Sequence, residues 1–111
     1  MAAKMPVRHT RGFKSSLHRA DHFKAHGARL GIASEEEYEA FADDFLRPDP
    51  PVSVRQFVRP WNGDLVRYDE VVDVFGILGS DRFIKTCYRP DPQFHGAETN
   101  LAYYLEEEAK A

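Results

Sequence analysis

The hydrophobic period of this chain changes once, at a cluster of three prolines, Pro48, Pro50 and Pro51. Before the cluster, Tyr38, Phe41, Ala42, Phe45 and Leu46 recur at helical spacing. Proline ends such a helix because it has no amide hydrogen and crowds the preceding turn. After the cluster come four short strand-like runs, 52–58, 65–68, 71–78 and 82–89. Asn62-Gly63 and Gly79-Ser80-Asp81 separate them with tight-turn signals, and tight turns join antiparallel neighbours. Pro90 and Pro92 close the series. The expected architecture is α+β: two N-terminal helices packed on one face of a four-stranded antiparallel meander.

The helical part carries its own punctuation. Ser15 or Ser16 caps a first helix that runs to His26, with Gly27 offering a left-handed stop. Ser34 opens the second helix as half of a capping box with Glu37, while Glu35 and Glu36 suit the positive end of the helix dipole. Thr99 caps a short C-terminal helix with Leu101, Tyr104 and Leu105 inward. Residues 1–12 read as a basic N-terminal arm and 13–111 as a single domain, since 111 residues support one core and not two. The lone Cys87 excludes an internal disulfide, and its place in an apolar strand marks it as a buried, inert thiol. No apolar run approaches the roughly 20 residues of a membrane span. The basic start lacks the apolar block of a secretory signal. The expectation is a small protein of a reducing, cytoplasmic setting, without a membrane partner.

The net charge of −3 hides a split: residues 1–31 hold seven bases and one acid, whereas the other 80 residues hold eight bases and 17 acids. Such a split marks either one face built for a polyanion or two halves that neutralise each other across the fold. Four of the five histidines lie in the basic end. On a helical wheel Phe13, Leu17, Ala20 and Phe23 share one side, and His18, His22 and His26 form a ladder on the other. Imidazoles so placed repel one another when charged, which lowers their pKa values and suits a general base. The same ladder could hold zinc only with a third ligand from His95, Cys87 or a carboxylate, and neither Cys-x-x-Cys nor His-Glu-x-x-His is present. Phosphate-loop, dinucleotide-binding and nucleophile-elbow motifs are also missing. Arg67 and Arg89 stand in or beside apolar strands, where an arginine either reaches the surface or is aimed at a phosphate. Thr86 and Tyr88 alternate with Lys85 and Cys87 and are expected to share a face with Ile84.

Several of these segments together resemble a known group. They are Ser15-Ser16-Leu17 with Asp21-His22-Phe23-Lys24-Ala25-His26-Gly27, then Ser34 to Tyr38 and Ala42 to Leu46, then Gly63-Asp64-Leu65-Val66-Arg67-Tyr68-Asp69 and Phe75 to Leu78, and last Ile84-Lys85-Thr86-Cys87-Tyr88-Arg89-Pro90-Asp91 and Thr99 to Tyr104. In that order, over residues 13 to 105, they resemble the small bacterial toxin domains similar to colicin D and contact-dependent-inhibition nucleases. That group belongs to the barnase/EndoU/colicin/RelE superfamily of metal-independent RNases. It often has Lys immediately before the second histidine, where this chain has Ala25 with Lys24 one step earlier.

The resemblance implies a tRNA-directed endoribonuclease toxin without metal or cofactor. The reaction is 2′-hydroxyl transesterification to a 2′,3′-cyclic phosphate, which spares DNA. It needs a base and an acid, cationic donors for the phosphorane, and an aromatic surface for a base. The residues assigned are His22, His26, Arg67 and Thr86 for catalysis, with Lys24, Tyr88 and Arg89 for RNA binding. A cognate immunity protein or antitoxin is the implied protein partner. The alternative is a non-catalytic RNA- or protein-binding module of the same fold. If the nuclease reading holds, Arg67, Thr86 and one ladder histidine should converge within about 10 Å, and Gly76 should leave room for the phosphate. Arg67 and Thr86 on opposite sheet faces would leave them no shared pocket and favour the module.

Overall fold

A computed structural model describes residues 7–111 of the chain. The elements are α1 (Ser16–His26), a 3-10 turn (Ala28–Leu30), α2 (Glu35–Phe45), β1 (Val54–Val58), β2 (Leu65–Asp69), β3 (Val74–Leu78), β4 (Ile84–Tyr88), the one-turn α3 (Pro92–His95) and α4 (Asn100–Ala109). The strands pair as an antiparallel meander in the order β1-β2-β3-β4, so the α+β meander is as expected. Of the two N-terminal helices, however, only α2 packs on a sheet face, with α1 at the β4 edge. Ser15, Ser34 and Thr99 cap α1, α2 and α4 through their hydroxyls, as their positions require. Gly27 ends α1 for a different reason from the one expected. Its φ is −59°, right-handed, but a Cβ there would lie 2.6 Å from the Phe23 ring. The left-handed residue is Gly31, four positions on.

Every strand differs in extent from its hydrophobic run. Val71 and Val72 are exposed, and β3 begins only at Val74. Asp69 accepts the amide of Val71, and Asp73, at φ 58°, turns its carboxylate to Tyr68 and Asn100, so a polar turn takes these residues out of the strand. In β4 the pairing passes from Leu78–Ile84 to Ile77–Thr86, leaving Lys85 as the extra residue of a bulge. Ile84 therefore faces the same side as Cys87, and Thr86 and Tyr88 face the other, which corrects the expected grouping of Thr86 with Ile84.

Both sheet faces are covered. On one, Tyr38, Ala42 and Leu46 of α2 pack with Val74, Leu78, Ile84 and Cys87. On the other, Tyr104 of α4 packs with Val66, Tyr68 and Phe75. Leu105 of α4 was expected inward but is 42% exposed. The end of the arm is built into the domain. Arg11 and Gly12 exchange backbone hydrogen bonds with Arg82 and Ile84, so this segment runs beside β4, with Phe13 bridged to Ile84. The amides of Arg8, His9 and Thr10 donate to Asp43. Burial pushes the Asp43 carboxyl up, but those amides and the Thr10 hydroxyl outweigh it and hold the pKa below its ordinary value. The first six residues of the arm lie outside the described residues. Among the described residues no helix is long and apolar enough to cross a membrane.

Arg67, only 2% exposed, is buried under the C-terminal end of α2. Its Nη1 donates to the carbonyls of Phe45 and Arg47, and its Nε and Nη2 donate to Gln56 Oε1. Burial, and secondarily Arg47, hold its pKa below the ordinary value. Arg67→Ala is expected to lower stability by about 3 kcal/mol or more, because it leaves buried carbonyls without donors. Arg67→Lys should recover only part of that, since an ammonium cannot reproduce the fork. Urea unfolding followed by circular dichroism measures both.

Candidate functional site

Phe13 belongs to the extended arm and not to α1, and this changes which side of the helix is inward. Leu17, on the expected apolar side, is 70% exposed. The histidine side faces the protein instead. His18 and His22 pack on the Phe13 ring at centroid distances of 5.5 and 5.7 Å, and Phe23 reaches the α2 core. The wheel had placed the ladder away from the body. The helix turns it inward because the Phe13 ring, held at the β4 edge, is the apolar surface available to it. So α1 lies along the outer edge of β4.

Three contacts define the site. Thr86 Oγ1 lies 3.2 Å from His22 Nδ1. The His22 and His26 rings are 5.6 Å apart, and His26 stacks on Tyr88 at 4.9 Å. Beyond His26 opens a cleft of about 450 Å³, with Tyr88, Arg89, Arg29 and Tyr103 in its walls. All four partners in these contacts are half-buried. Burial lowers the His22 pKa to about 4, helped by the charges of His18 and His26 and opposed by Asp21. Burial also lowers that of His26. Both rings are therefore proton acceptors at neutral pH.

The expected convergence of Arg67 with this group does not occur. Arg67 pairs with Gly76 and Gly76 with Cys87, a row on the α2 side, while Thr86 is paired with Ile77 on the α4 side. Gly76 does share a face with Arg67, but its open space is filled by protein. A Cβ there would lie 3.1 Å from the Phe45 ring. Arg67 is thus a structural cation, removed from the site by α2. Lys24 is exposed on α1 and is not among the residues lining the cleft. Arg89 lines the cleft with half-buried stem and spends donors on the carbonyls of Arg29, Val72 and Asp73. The third ligands considered for zinc are also placed. Cys87 is fully buried on the α2 side, its thiol pKa raised by burial, and His95 stands across the cleft with both ring nitrogens hydrogen-bonded. Among the described residues no group of three or more His, Cys, Asp or Glu side chains is arranged to hold a metal ion.

Sequence reasoning missed Arg29 and Tyr103, and weighed His95 only as a zinc ligand. The Asp91-Pro92 helix start and the Gly96 stop were available as signals for α3, which carries His95 to the cleft. The basic end is also neutralised in part. Lys14 pairs with Asp81, Arg19 with Glu35 and Glu39, and Arg29 with Asp91.

The depressed His22 pKa has a thermodynamic consequence. Its ordinary value is near 6.5, so unfolded chains take up the proton first as pH falls. The stability tied to this group is complete above about 6.5 and is lost as pH falls toward about 4. Urea midpoints of the wild type should drop across that window, and those of His22→Gln should drop less. Equal slopes would mean that His22 does not titrate with folding. Comparison with protein-family models and with curated proteins gives no match to this chain.

Proposed function

We propose that the chain is a metal-independent ribonuclease, a tRNA-directed bacterial toxin of the colicin D and contact-dependent-inhibition kind. The observation that carries this reading is the pair of proton-accepting imidazoles, His22 and His26, set beside the Thr86 hydroxyl at one edge of the sheet. His22 takes the proton of a ribose 2′-hydroxyl, and that oxygen forms a bond to the adjacent phosphorus. The bond from phosphorus to the 5′-oxygen breaks, and His26, protonated, gives the leaving oxygen its proton. A bound phosphate favours the charged form of a nearby imidazole, which restores an acid at His26 when RNA is present. Thr86 holds the His22 ring and donates to a phosphate oxygen, Arg89 supplies a cation at the rim, and Tyr88 supplies an aromatic face. The products are a 2′,3′-cyclic phosphate and a 5′-hydroxyl, and DNA, without the attacking group, is spared. Neither a metal nor a cofactor takes part in these steps. The chain acts in the cytoplasm of a bacterial cell, and a cognate immunity protein that covers the cleft protects its producer.

A second reading, a non-catalytic RNA- or protein-binding module, has one observation in its favour. Arg67 and Thr86 lie on opposite faces of the sheet, the arrangement expected of the module, and the transesterification loses its best phosphate clamp. The nuclease reading stays first because its reacting groups still meet in one place. His26 lines the cleft and adjoins His22, whose Nδ1 meets Thr86, all without Arg67.

Purified protein incubated with total tRNA, with and without excess chelator, separates the two. Cyclic-phosphate ends in both samples are expected. His22→Ala should lower cleavage by about 100-fold or more while the fold is kept. The kcat/KM of the wild type should rise as pH falls below 6.5, where free His26 takes up the proton it must give, and drop near the His22 value of about 4. Tight RNA binding with no cut ends would establish the module instead.

A further inference from the structure

The far wall of the cleft carries a second aromatic stack, away from the acid–base pair. The His95 ring lies on Tyr103 with centroids 4.4 Å apart and planes 13° apart. Both nitrogens of that imidazole are taken within the chain. The Ala97 amide donates to Nδ1 at 3.1 Å, and Nε2 lies 2.8 Å from Asn100 Oδ1. Asn100 is pinned in turn, its Nδ2 donating to Asp73 and to the Pro90 carbonyl. A ring held this way offers the cleft a flat surface and no nitrogen for proton transfer. The near wall is the His26–Tyr88 stack, with planes 29° apart. Phe94 of α3 also lines the cleft and is 89% exposed.

The charges here are locally balanced. Arg29 faces Asp91 at 3.7 Å, and Arg89 faces Asp73 at 3.8 Å. Two cations each matched by a carboxylate do not make a cradle for a phosphate. Aromatic walls with the Asp91 carboxylate and two guanidinium groups at the rim fit a planar, uncharged ring with hydrogen-bonding edges, which describes a nucleobase. We propose that this part of the cleft, between His26–Tyr88 and His95–Tyr103, is a nucleobase subsite that seats the base beside the scissile phosphate. The position relative to the scissile bond rests on the ribonuclease reading, while the affinity for a base does not.

The test uses the whole chain and three probes: a deoxyribotetranucleotide, which cannot be cut, a free nucleoside 3′-monophosphate, and inorganic phosphate. The two base-bearing probes should shift the NMR ring signals of His95 and Tyr103, and inorganic phosphate should leave them in place. Phe94→Ala, at an exposed position, and Tyr103→Leu should each weaken tetranucleotide binding about tenfold, the scale of losing one base–aromatic stack. In RNA cleavage they should raise KM by a similar factor with kcat changed about twofold or less. If RNA is cut while the base-bearing probes leave both rings unmoved, the subsite is wrong and the nuclease reading stands. If the probes move these rings and RNA is never cut, the subsite stands and the nuclease reading falls. Equal shifts from inorganic phosphate would overturn the subsite in favour of an anion site.

Discussion

A guanidinium shut away from water must find acceptors for its donors, and in this protein Arg67 finds them on two other elements at once. It stands on β2, takes the side chain of Gln56 on β1, and takes the carbonyls at the end of α2. Those carbonyls belong to the last turn of a helix and just past it, where no further amide of the helix is available. One side chain thereby ends α2 and sets its position on the sheet. The neighbouring strand answers with Gly76, whose missing side chain admits the Phe45 ring. At Arg67 and Gly76 this face of the sheet is filled by the end of α2.

The other face is closed by a different means. Tyr104 stacks near Tyr68 and Phe57, and α4 holds these rings through apolar contact. With both faces covered, the candidate site lies at the outer edge of β4. The bulge at Lys85 decides what appears there. It keeps Ile84 and Cys87 in the core and turns Thr86 and Tyr88 to the side that the α1 histidines reach. Phe13, bridged to the same strand, gives those histidines an apolar seat. Half-burial against that seat is the main cause of the depressed His22 pKa, ahead of repulsion within the ladder.

Charge has a smaller part in the site than the split along the chain implies. The Asp43 carboxylate gathers the amides of the arm, and Glu35 and Glu39 take Arg19. Of the bases in the N-terminal end, Arg19 joins α1 to α2, and Lys14 and Arg29 pair with Asp81 and Asp91. The proposed reactions accordingly depend on imidazoles, a hydroxyl and aromatic rings more than on a field of cations.

Features that depend on local chemistry were legible in the chain itself. The switch of period at the prolines, the three hydroxyl caps and the two strand-joining turns mark the α+β meander, because each is decided by residues within a few positions of one another. His22, His26, Thr86 and Tyr88, which the fold brings into contact, could also be singled out by residue type. Contacts between distant segments were not. The inward turn of α1 depends on Phe13 joining β4, some 70 residues further along the chain. The separation of Arg67 from Thr86 follows from strand pairing, since a shift of one position moves a side chain to the opposite face. The cleft wall of His95 and Tyr103 exists only once α3 and α4 fold back over the sheet. Sequence alone determined which elements form and which chemical groups the chain has to offer. Tertiary packing decided which of them meet, because burial and pairing choose among side chains that local propensity cannot rank.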